Sequence, residues 1–119
     1  MQNFKELKVW QKAHRLTLDV YKITASFPRA EMYGLTSQMR RSSASIPTNI
    51  SEGCGRDSSA ELARFLTIAM GSASELEYQM ILANDLKFMN EEVYSRRRDD
   101  LVEIKKMLTS FIKKLKADN

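Results

Sequence analysis

The chain of 119 residues has only four glycines, two prolines, one cysteine and one histidine. Scarce glycine and proline leave few turns, so the chain must run in a small number of long elements. A single cysteine, Cys54, excludes an internal disulfide framework and a cysteine zinc cluster. A lone His14 cannot build a histidine triad or metal site without further copies of the chain. No stretch approaches the roughly 20 apolar residues that a membrane-spanning helix needs, and residues 2–12 are too polar for a signal-type run. The expectation is therefore one cytoplasmic domain over residues 1–119, with no metal, no cofactor and no membrane. That length supports a core without disulfides.

Charge of either sign is ordinary in amount and uneven in place. Residues 1–29 hold six basic and two acidic side chains, residues 30–90 five and seven, and residues 91–119 eight and six. The net charges are +4, −2 and +2, so the surplus sits at the two ends of the chain. Such a surplus permits attraction to nucleic acid without demanding it.

What is present is helical periodicity. In residues 5–26, Ala13, Leu16, Val20, Ile23 and Phe27 recur at spacings of three and four, and Pro28 closes the helix. A connector over 29–34 leads to a second helix over 35–54, where Leu35, Met39, Ile46 and Ile50 keep the stripe on both sides of Pro47. Proline inside a helix lacks an N–H and costs roughly 3 kcal/mol. This helix is expected to continue through Pro47 with a kink, its orphaned Ser43 carbonyl lying among small hydroxylated residues. Gly53, Gly55 and Asp57 mark the next turn. Ser58 and Glu61 have capping-box spacing, and a third helix over 59–88 carries Leu62, Leu66, Ala69, Ala73, Leu76, Met80 and Ala83. Its Gly71-Ser72-Ala73-Ser74 segment is expected to let the second helix approach closely along Ser42-Ser43-Ala44-Ser45. Asn90 caps a fourth helix with the stripe Leu101, Ile104, Leu108, Phe111 and Leu115. The fold is all-α, an up-down-up-down four-helix bundle. Trp10, Leu18, Tyr21, Ile68, Ile81, Leu82 and Leu86 fall outside these stripes, and a second buried face for them implies an oligomer.

The polar candidates are few. Arg40, Arg41, Asn49, Glu52 and Arg56 cluster around Pro47. They form either a groove for phosphates or bases, or a structural network in which Glu52 pairs with Arg56 and Asn49 caps the kink. Lys8, Lys12 and Arg15 share a face of the first helix near Trp10 and His14, a basic surface with an aromatic that suits RNA. The bland alternative is a solvated face with Trp10 packed inside. Arg96, Arg97 and Arg98 are interleaved with Asp99, Asp100 and Glu103, which neutralise them. Nothing here has the pattern of an enzyme: Glu75 and Glu77 point apart on a helix, and no glycine-rich phosphate loop follows a strand.

Leu7-Lys8-Val9-Trp10-Gln11-Lys12-Ala13, Phe27-Pro28, Tyr33-Gly34-Leu35-Thr36-Ser37-Gln38, Arg40-Arg41, Ser45-Ile46-Pro47, Asn49-Ile50-Ser51-Glu52-Gly53 and Ala69-Met70-Gly71-Ser72-Ala73-Ser74-Glu75-Leu76-Glu77 together resemble the 23S rRNA intervening-sequence protein family. The resemblance spans nearly the whole chain, with the fourth helix its least diagnostic part. It implies a small bacterial four-helix bundle that assembles as a homopentamer. It also implies likeness in fold to the accessory protein of diversity-generating retroelements, a basic pentamer that binds nucleic acid and a reverse transcriptase. Two functions follow as expectations. The first is an RNA- or DNA-binding accessory protein using Lys8, Lys12, Arg15, Arg40 and Arg41, with Asn49, Glu52 and Arg56 as a structural network. The second is a scaffold whose oligomer surface docks a protein partner such as a reverse transcriptase.

Overall fold

A computed structural model describes residues 2–117; Met1, Asp118 and Asn119, the outermost residues of the expected domain, lie outside the described residues. Four helices follow one another: α1 (Lys8–Thr24), α2 (Leu35–Cys54), α3 (Ser59–Asp85) and α4 (Glu91–Ala117). No strand occurs among the described residues. α1 packs on α2, α2 on α3, α3 on α4, and α4 returns to α1; the α2–α3 contact is the most extensive and α1–α4 the least. This is the up-down-up-down bundle that the periodicity implied. Its 46 Å long axis is close to the roughly 40 Å of one 27-residue helix.

Helical spacing selects the core. All seven seam residues of α3, Leu62 to Ala83, are buried, together with Leu35, Met39, Ile46 and Ile50 of α2. Leu101, Ile104, Leu108 and Leu115 of α4 and Ala13, Leu16 and Val20 of α1 complete one cluster. Each large side chain buried here contributes about 1.5–3 kcal/mol. Ile23 and Phe111 sit at the edge of the core, half-buried. Of the off-stripe residues, Leu18, Tyr21, Ile68, Ile81 and Leu86 are exposed, while Trp10 and Leu82 are half-buried.

Helix ends follow local chemistry with three departures. The Ser58 hydroxyl accepts from the Glu61 N–H (3.1 Å), but the Glu61 carboxylate pairs with Arg64 (2.9 Å) instead of reaching back. That pairing holds the Glu61 carboxyl below its usual range. Asn90 caps α4 by accepting from the Glu92 N–H (2.8 Å). The first helix starts later than its sequence suggests: Asn3 caps a single 3-10 turn, Phe4–Glu6, and Leu7 is extended before α1 begins. α3 ends earlier, at Asp85, because Lys87 turns left-handed (φ 64°). The Phe88 N–H then reaches back to the Ala83 carbonyl (2.9 Å) and the Lys87 N–H to Asn84 (3.0 Å), a closing turn that favours glycine. Lys87→Gly is therefore expected to stabilise the fold by about 1 kcal/mol, read as a rise of a few degrees in thermal unfolding. An unchanged or lower midpoint would contradict it.

α2 runs unbroken through the buried Pro47. The carbonyl that Pro47 orphans belongs to Ser43, and α1 supplies the missing donor: the Thr17 hydroxyl lies 2.9 Å from Ser43 O. The same hydroxyl is 3.0 Å from Ala13 O. With one hydrogen to give, it is drawn to Ser43, because the Ala13 carbonyl can already accept a helical N–H. Asn49, expected to cap this point, donates instead to the Ser45 carbonyl (2.8 Å) and hydroxyl (3.0 Å).

The small-residue segments of α2 and α3 do meet. Ser45 Oγ and Ser72 Oγ are 2.8 Å apart, and the buried Ser42 hydroxyl donates to Gln79 Oε1 (2.6 Å). Another close approach lies at Gly53. A Cβ on Gly53 would stand 2.9 Å from both Leu62 Cδ1 and Phe65 Cβ, whereas one on Gly71 would meet nothing within 4 Å. Gly53 is thus a packing glycine inside α2, not a turn residue.

Candidate nucleic-acid interface

The five candidate cations divide into two groups. Lys8, Lys12 and Arg15 occupy the first two turns of α1 on the side facing α4. Lys12 Nζ pairs with Glu103 Oε1 of α4 at 3.2 Å. Arg15 shares a hollow of about 310 Å³ with Gln11, Lys12, Asp100 and Glu103. Lys8 stands over a different hollow, of about 460 Å³, walled by Leu7, Met107, Phe111 and Leu115 and joined there by Lys114. The antiparallel packing of α1 and α4 thereby brings Lys8, at the start of α1, to the same end of the bundle as Lys114, near the end of α4. Lys114 belongs with this group. Its place among the last-turn lysines suggested a helix-dipole role, and only its alignment opposite Lys8 reveals the pairing of like charges.

Arg40 and Arg41 lie toward the other end, beside Tyr21, about 20 Å further along α1 from Lys8. Arg40 is committed to the fold. Its Nε donates to Thr24 Oγ1 (2.9 Å), its Nη2 to the Tyr21 carbonyl (3.3 Å), and its guanidinium lies 4.8 Å from the Tyr21 ring centroid. It thus satisfies the carboxyl-terminal turn of α1, where a cation also suits the helix dipole. Arg41 is exposed, and its Nη2 donates to Ser37 Oγ (3.0 Å). The two arginines of this adjacent pair therefore do different things.

Asn49, Glu52 and Arg56 do not join them. Arg56 pairs with Glu52 (3.1 Å) and covers the buried Phe65 ring at 4.8 Å, with Arg64 at 4.6 Å. Trp10 is not a free stacking platform either: Phe4 meets it edge-on and His14 stacks on it, each at 5.1 Å between ring centres.

Ion pairing separates the cations further. Arg96 pairs with Glu92, Arg98 with Asp99, and the half-buried Arg97 with Asp19 of α1 (3.1 Å). Arg97 Nε also lies 2.9 Å from Asp100 Oδ2, off the line of its N–H, so that contact is one of charge alone. Lys105 pairs with Glu77 (2.8 Å). Lys8, Arg15, Arg40 and Arg41 have no carboxylate within ion-pair distance among the described residues.

The reactive side chains are placed without partners for chemistry. His14 is exposed against Trp10. Cys54 is buried, and burial pushes its thiol up, away from the thiolate form. No group of three or more His, Cys, Asp or Glu side chains among the described residues is arranged to hold a metal ion, and no described helix is long and apolar enough to cross a membrane.

Known proteins match this architecture. The family model described as 23S rRNA-intervening sequence protein matches residues 5–110. Among solved structures, the chain is similar to a protein of unknown function from the S23 ribosomal protein family of Bacteroides thetaiotaomicron. The two share 30% identity over 88% of this chain and 98% of that one, with a TM-score of 0.80. No curated protein matches. The matched residues take in α1, α2, α3 and most of α4, including Lys8, Lys12, Arg15, Arg40 and Arg41, and the chain belongs to the 23S rRNA-intervening sequence protein family.

Proposed function

We propose that this protein is a nucleic-acid-binding accessory protein, with RNA as its main ligand, acting in the cytoplasm as a homo-oligomer of five copies. The observation that carries the reading is the set of cations on the first two helices left without carboxylate partners, in a protein whose arginines from Arg56 onward are ion-paired. Unpaired arginine presents several fork-shaped donors to phosphate. One chain at +4 binds weakly, but copies around a ring link weak contacts into one avid surface. The number five rests on family resemblance, and the oligomer on exposed apolar side chains such as Leu18, Ile68 and Ile81. Those same side chains favour a second reading, a scaffold that docks a protein partner.

Salt separates the two. Phosphate binding loses affinity with a slope of roughly −0.7 to −0.9 per charge neutralised, and apolar docking does not. In a filter-binding titration across a range of salt, Lys8→Glu/Arg15→Glu is expected to weaken RNA retention about tenfold at low salt and to flatten the salt slope by about 1.5. Light scattering confirms the assembly in each sample. Arg40 is left untouched because its substitution would disturb the end of α1. Wild-type oligomer that retains neither RNA nor DNA at low salt would exclude the nucleic-acid reading and leave the scaffold.

A further inference from the structure

We infer that the hollow between the end of α1, the connector and the start of α2 is a subsite for one nucleotide of a single strand, Tyr33 stacking its base and Arg41 holding its phosphate. The inference rests on the nucleic-acid reading above. The hollow measures about 370 Å³ and is lined by Tyr21, Tyr33, Thr36, Ser37, Arg40 and Arg41, together with Met32. That volume falls within the range of small-ligand clefts, about 300–1,000 Å³. No carboxylate lines it. The nearby Glu31 side chain is engaged by the Leu35 N–H (3.1 Å) at the head of α2.

Two features fit a nucleotide. Tyr33 is 96% exposed, so its ring is open to stacking. Arg41 spends one donor on Ser37 Oγ, and the rest of its fork is open to a phosphate. Thr36, 2% exposed, forms part of the floor beneath them. Arg40, held by Thr24 and the Tyr21 carbonyl, adds fixed positive charge and positions the Tyr21 ring. Stacking on tyrosine accepts any base, so the subsite discriminates strandedness and not sequence: a base paired in a duplex has no free face for Tyr33.

The test uses a labelled single-stranded RNA 12-mer and the same sequence as a duplex, titrated against full-length protein. Tyr33→Ala is expected to weaken single-strand binding about tenfold, leaving duplex binding and the salt slope unchanged, and Tyr33→Phe to retain wild-type affinity. Arg41→Gln should flatten the single-strand salt slope by about 0.7. If wild type binds RNA and Tyr33→Ala binds the single strand equally well, the subsite is wrong and the nucleic-acid reading stands. If wild type binds no RNA at low salt, that reading fails and the subsite with it. A Tyr33→Ala protein that loses its assembly state in light scattering would place Tyr33 in the contact between copies and overturn the subsite.

Discussion

Valine in place of Gly53 is expected to cost the bundle more than about 3 kcal/mol, a fall of some 10 °C or more in thermal unfolding followed by helical circular dichroism. The cause is the closeness of α2 and α3. A Cβ here would lie 2.9 Å from Phe65 Cβ and from Leu62 Cδ1. The leucine methyl can swing aside, but Phe65 Cβ is tied to the α3 backbone and can move only with its helix. Even Gly53→Ala, which gains about 1 kcal/mol of helix propensity, is expected to be net destabilising, because relieving the contact costs about 1–3 kcal/mol. Gly71 supplies the opposite sign. It is exposed in mid-helix, and an added Cβ meets nothing. Gly71→Ala is therefore expected to gain up to about 1 kcal/mol. Equal responses at the two glycines would contradict this packing.

Thr17→Val is expected to destabilise the protein by about 1–3 kcal/mol, the cost of leaving a buried carbonyl without a donor. Valine keeps the shape of threonine and removes only the hydroxyl that serves Ser43 O. Most of that cost should vanish in a Pro47→Ala background. Alanine there restores a backbone N–H four residues after Ser43, so the carbonyl regains a helical partner and the hydroxyl becomes redundant. The double-mutant cycle should give a coupling of at least about 1 kcal/mol between positions 17 and 47, which lie on different helices. Strict additivity would show that the Thr17 hydroxyl serves Ala13 and not the proline break. The cycle also addresses how a helix tolerates an interior proline. The ring removes a bond within α2, and a hydroxyl from α1 replaces it across the helix interface.

Much of this was legible in the sequence because it is local or periodic. The seam of α3 at spacings of four and three names its buried residues without reference to any partner, since a helix exposes one face whatever packs on it. Ser58 and Asn90 were readable as caps because each bonds two or three residues ahead. Small residues on α2 and α3 announced a close approach, and Ser45 and Ser72 make it. Apolar residues outside the stripes announced uncovered faces, and Leu18, Tyr21, Ile68 and Ile81 are exposed.

The candidate interface was less legible, and the reason is sequence separation. Lys12 is linked to Glu103 and Arg97 to Asp19 across the α1–α4 contact. No spacing rule reaches that far, so which cations remain without a partner is settled by packing. Arg40 and Arg41 are neighbours in the chain, but successive helical side chains point about 100° apart. One turns onto the end of α1 and the other toward Ser37 and solvent. Lys8 and Lys114 come together only because α1 and α4 run antiparallel. By itself the sequence determined four helices, their buried faces and several of their ends, because those follow from periodicity and bonds within a turn. Tertiary structure alone decided that Thr17 completes the proline break, that Gly53 and not Gly71 admits the neighbouring helix, and that the basic residues form two groups. Each of these depends on which side chains of distant segments face one another, and that is set only when the apolar faces close together.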